Sequence, residues 1–67
     1  MIGDNIKFYR KKNQLTQDDI AEACNVTRQA VSKWENGKTQ PDIQTLSMLA
    51  STLEVSEEDL IYGLSDS

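Results

Sequence analysis

The chain has no histidine, one cysteine and one proline, and beyond Lys38 it has no lysine or arginine. Each absence removes a class of protein. Without histidine and with a single thiol there is neither a Cys/His zinc set nor an internal disulfide, so no staple of either kind holds the fold. The same poverty leaves no nucleophile beside a base, and no glycine-rich phosphate loop is present. Both argue against an enzyme, and no cofactor is indicated. No apolar run approaches the ~20 residues of a membrane span and no signal-peptide pattern precedes the first helix. The expectation is a cytoplasmic protein with no membrane partner and no evident small-molecule ligand. Sixty-seven residues suit one small domain, which buries only about 60% of its unfolded surface.

What is present is unevenly charged. Eleven acids stand against seven bases, a net charge of −4. All seven bases lie at or before Lys38 among five acids (Asp4, Asp18, Asp19, Glu22, Glu35), a balance of +2, whereas residues 39–67 carry six acids and no base, a balance of −6. Such polarity predicts one end that faces a polyanion and an acidic end that faces solvent or a partner.

The apolar spacing predicts five helices and no strand, over about 2–13, 17–24, 28–36, 43–53 and 57–62. In the first, Ile2, Ile6 and Tyr9 form a core stripe with Arg10 beside it. Thr16 with Asp19 makes a capping box for the second, in which Ile20 and Cys24 share a face. Thr27 caps the third, where Val31 and Trp34 share a face, and Asn36 with Gly37 closes it. Asp42 caps the fourth, whose Ile43, Leu46, Leu49, Ala50 and Leu53 form one apolar face. Ser56 with Asp59 opens the fifth, which Gly63 ends. Phe8 and Met48 fall outside these faces and are expected to be at least partly exposed.

Gln17 to Lys38 is the most informative stretch. Only Asn25 and Val26 separate two helices, so the turn needs a residue at positive φ, which asparagine tolerates. Ala21 gives the small side chain that a close helix crossing requires. A plain helical hairpin would share this geometry. The outer face of the second of these helices tells against it, because Arg28, Gln29, Ser32 and Lys33 are side chains that read base edges.

At Ile6, Tyr9 and Arg10, at Leu15-Thr16-Gln17, at Ile20-Ala21, through Arg-Gln-Ala-Val-Ser-Lys-Trp-Glu-Asn-Gly from Arg28 to Gly37, and at Pro41, Leu46, Leu49-Ala50 and Leu53, the chain resembles the phage-repressor and Cro type of helix-turn-helix protein, the Xre-like family. Asn25 stands where that family usually has glycine. The resemblance implies an all-α, five-helix lambda-repressor-like domain over residues 1–67, with helices 2 and 3 as the helix-turn-helix. It implies a transcriptional regulator, in the first instance a repressor, that binds double-stranded DNA as a homodimer and reads a palindromic operator through the major groove.

On this reading Arg28 and Gln29 lead the base contacts, with Ala30, Ser32 and Lys33 beside them. Gln17 and Asn36, then Lys38, Thr39 and Gln40, contact phosphates. In the resembling repressors the residues at Arg10 and Glu35 form a structural ion pair. A dimer contact is expected from Met48, Ile61, Tyr62 and Leu64. Lys7, Lys11 and Lys12 either enlarge the positive field or are merely solvated. The bland alternative for the reading face is likewise a solvated helix surface. The competing function is a protein-interaction or antitoxin-like module that uses the acidic half.

Overall fold

The computed structural model describes residues 1–63, so Leu64 lies outside the described part. Five helices follow in order: α1 (Ile2–Lys12), α2 (Gln17–Cys24), α3 (Arg28–Glu35), α4 (Ile43–Leu53) and α5 (Glu57–Tyr62). There is no strand among the described residues. The ends differ from expectation by a residue: Asn13 and Asn36 are C-caps that follow α1 and α3.

Every helix start after α1 has the side chain that the sequence advertises. Thr16 Oγ1 accepts from the Asp19 N–H at 3.0 Å, and the Asp19 carboxylate accepts from the Thr16 N–H at 2.8 Å. Ser56 and Asp59 repeat this box, both bonds at 3.1 Å. Thr27 and Asp42 cap α3 and α4 through the N–H groups of Ala30 and Thr45. These bonds satisfy donors that no helical carbonyl can reach.

The helix ends share a second device, one that sequence reading found only in part. After α1, α2, α3 and α4 the chain turns through a residue at positive φ: Gln14 (60°), Asn25 (58°), Gly37 (76°) and Glu54 (60°). At each of these ends the next residue's N–H returns to a carbonyl five residues back, namely Leu15 to Arg10, Val26 to Ala21, Lys38 to Lys33 and Val55 to Ala50, at 2.9–3.0 Å. The residue at positive φ bonds three back. This is the Schellman pattern, in which an apolar residue after the turn commonly folds back on the helix. Leu15, Val26 and Val55 do so, packed against the core. The link between α2 and α3 is thus one left-handed asparagine followed by one anchored valine.

The core draws on every helix: Ile6 and Tyr9 from α1, Ile20, Ala21 and Cys24 from α2, Val31 and Trp34 from α3, Leu49, Ala50 and Leu53 from α4, and Leu60 from α5. Ile43 departs from the expected α4 face, for it is 84% exposed. It is the first residue of its helix. Its direction matches Ala50, seven residues on, but the first turn overhangs the core. Phe8 and Met48 are exposed, as their wheel positions require.

Polar ties join elements distant in sequence. Asn5 Nδ2 donates to the Leu60 carbonyl at 2.8 Å and so fixes α1 to α5. Asn13 Nδ2 donates to the carbonyls of Tyr9 and Leu53 and ties the end of α1 to the end of α4. Gly3 is buried where α1 crosses the end of α3. A β-carbon there would collide with the Trp34 carbonyl oxygen and stand 3.1 Å from that of Glu35. Nothing in the sequence pattern marked Gly3, because its constraint comes from a helix crossing some thirty residues away.

Candidate nucleic-acid interface

α3 presents a polar outer side because its apolar positions, Val31 and Trp34, are taken by the core. Arg28, Gln29, Lys33, Asn36 and Lys38 are exposed, and Ser32 is half-buried. Gln29, Ser32, Lys33, Asn36 and Lys38 line one shallow cleft that contains no acid. Asn36 Nδ2 lies 3.4 Å from the Ser32 hydroxyl it donates to, which links two of the expected contacts one turn apart. Ala30 is half-buried and packs against the core. That leaves only part of its methyl for any base.

Arg28 faces a neighbouring notch, lined also by Arg10, Leu15, Thr16, Gln17 and Asp18. The start of α2 opens here. With the Asp19 N–H capped by Thr16, the N–H groups of Gln17 and Asp18 are those an anion can meet. Thr39 and Gln40 are placed elsewhere, in a small hollow with Met1, Ile2, Gly3 and Asp4. Asn36 borders both the cleft and that hollow.

Arg10 and Glu35 form the expected ion pair. Arg10 Nε and Nη2 donate to the two Glu35 oxygens at 2.7 and 3.1 Å, and Arg10 Nη1 donates to the Leu15 carbonyl at 2.9 Å. The Glu35 side chain is only 3% exposed and that of Arg10 is 11% exposed. One feature is new: Gln17 Nε2 also donates to Glu35, at 3.0 Å. No buried side-chain nitrogen or oxygen lacks a partner among the described residues.

The remaining cations line neither the cleft nor the notch. Lys12 sits 5.9 Å from the centroid of the Phe8 ring. It also borders a groove shared with Glu54 and Asp59. Lys7 and Lys11 are exposed on α1. The residues expected at a dimer contact are exposed, Met48 at 37%, Ile61 at 43% and Tyr62 at 67%. Of these Ile61 alone borders the apolar groove formed with Met1, Ile2, Gln40, Pro41, Ile43 and Leu46.

Burial holds the Cys24 thiol above its ordinary pKa, which keeps it protonated at neutral pH. Among the described residues no group of three or more acids and cysteines is placed to hold a metal ion.

Two short helices crossing at a two-residue turn, with a cation-bearing polar face on the second, define a helix-turn-helix module. The chain belongs to the helix-turn-helix family, whose model matches residues 6–60. The DNA-bound structure of SinR is 37% identical, with a TM-score of 0.82 over 91% of this chain and 98% of that one. The c2 repressor of Salmonella phage P22, solved with a synthetic operator, is 30% identical, with a TM-score of 0.89 over 94% and 96%. The transcriptional regulator MJ0272 of Methanocaldococcus jannaschii is 33% identical over 85% of this chain and 86% of its own length. Other relatives are longer: the chain spans 57% of YqaE and 58% of prophage-derived YonR, both from Bacillus subtilis.

Proposed function

We propose that this domain binds double-stranded DNA sequence-specifically as the reading module of a transcriptional regulator, and that it represses. The observation that carries the reading is the acid-free cleft of Gln29, Ser32, Lys33, Asn36 and Lys38 along α3, with Arg28, the first residue of α3, exposed in the neighbouring notch. The c2 and SinR structures, both DNA complexes of the same fold, support it.

Arg28 bridges guanine O6 and N7, and Gln29 pairs with adenine N6 and N7, each good pair discriminating by ~1–3 kcal/mol. Ser32, Lys33 and the exposed part of Ala30 complete the base face. Gln17, Asn36 and Lys38 hold the phosphates that flank it, with Thr39 and Gln40 at its margin. The domain binds as a homodimer to half-sites about 10 bp apart, one turn of B-DNA. Ile61 is the best-supported dimer residue, since the groove beside it also exposes Ile43. The acidic-half interaction module, with Phe8 or Met48 as its apolar contact, is the weaker reading, because the SinR and c2 domains that share this fold are seen on DNA.

Selection of bound duplexes from a random pool tests this directly. Enrichment of a palindrome, lost in Arg28→Ala, is the expected result. Enrichment of nothing, or of the same sites by Arg28→Ala, refutes the assignment. Sedimentation with the selected duplex checks for two protomers per site.

A further inference from the structure

Gln17 and Glu35 are separated by a helix, a turn and a second helix, and the fold joins them. Glu35 is the only buried charged residue among those described. Arg10 grips both of its oxygens, and Gln17 Nε2 shares Oε1, the oxygen with the longer Arg10 bond. The same Arg10 holds the Leu15 carbonyl two residues before Gln17. The amide of Gln17 is therefore fixed at both its backbone approach and its tip.

We infer that Glu35 is a positioning residue for DNA: its buried carboxylate holds the Gln17 amide ready at the start of α2, so the ion pair sets DNA affinity as well as stability. The inference rests on Gln17 being a phosphate contact. A primary amide carries two N–H groups, so the bond to Glu35 leaves one for a phosphate oxygen. The notch that Gln17 borders with Arg10, Leu15, Thr16, Asp18 and Arg28 is the seat for that oxygen, two arginines there standing against the one carboxylate of Asp18. An unanchored glutamine would lose its rotamer freedom on binding; this one has lost it already on folding. The gain appears in affinity without any contact between Glu35 and DNA.

The test is a cycle on the full chain, with fluorescence anisotropy on a duplex recovered by random-site selection. Gln17→Ala is one arm. The other replaces both members of the pair, Arg10→Met with Glu35→Met, since exchanging a buried ion pair for apolar residues of like size commonly preserves stability. Each arm is expected to weaken binding about fivefold to tenfold, the weight of roughly one hydrogen bond. Their combination is expected to be no weaker than either alone.

A pair variant that binds like the parent, or effects that multiply, overturns the inference while Gln17 keeps its phosphate. Unchanged binding by Gln17→Ala removes the phosphate contact and the inference together. NMR of the DNA-free parent gives a readout that does not depend on the pair variant folding. The Gln17 side-chain amide signals are expected away from free-glutamine positions and slow to exchange with water. Free-glutamine signals overturn the inference by themselves.

Discussion

Arg28 and Glu35 lie at opposite ends of α3 in opposite environments. Arg28 is exposed, whereas the Glu35 side chain is 97% buried and accepts three hydrogen bonds. Glu35→Ala strands Arg10 without its carboxylate, a loss of ~3–5 kcal/mol, comparable with the whole stability of a domain this small. It is expected to melt far below the parent in a thermal scan. Arg28→Ala is expected to melt with the parent and to lose specific DNA binding. Acid sensitivity is also a property of single residues. The backbone N–H of Thr16 holds the Asp19 carboxyl below its ordinary pKa, and that of Thr45 does the same for Asp42. A lowered folded pKa supplies stability above the ordinary carboxylate value of about 3.9 and loses it as pH falls through the folded value. Melting temperature is therefore expected to drop below about pH 4. Asp42→Asn, which still caps but does not titrate, is expected to show a shallower drop.

At the scale of elements, each helix is bounded by a side-chain cap in front, except at α1, and a left-handed residue behind. The caps were legible in the sequence because serine, threonine and aspartate announce themselves by type and spacing. So was Asn25, since two residues between helices force the turn. Gln14 and Glu54 were not, because nothing in a glutamine or a glutamate signals positive φ; only the apolar Leu15 and Val55 that follow hint at the fold-back. Glu54→Gly relieves the left-handed strain of a side chain and is expected to stabilise by roughly 0.5–1 kcal/mol, a rise of a few degrees in a calorimetric melt. The polar outer face of α3 was visible from residue types along the helix. The Gln17–Glu35 bond and the Gly3 crossing were not, since both depend on how α1, α2 and α3 pack. Ile43 had the right helical direction and the wrong depth, for periodicity gives an angle and says nothing of where the core stops.

The whole molecule carries its charge in two territories. The proposed binding of DNA by a chain of net charge −4 requires that the few cations at the cleft act locally. Each phosphate-neutralising lysine contributes a slope of about −0.9 to log affinity against log salt. Lys38→Gln is expected to flatten that slope by about one unit in a salt titration, with sequence preference intact. The domain is also closed across its length: α1 packs on both α3 and α5, and the Asn5 bond to the Leu60 carbonyl spans 55 positions of sequence.

On a ribosome that closure becomes a matter of time. α1 emerges first and waits for α5, which at 5–20 residues per second takes roughly 3–12 seconds. Meanwhile the part of α1 that packs on α5 is uncovered and open to chaperones. The closed domain is therefore complete only once α5 has left the exit tunnel and docked.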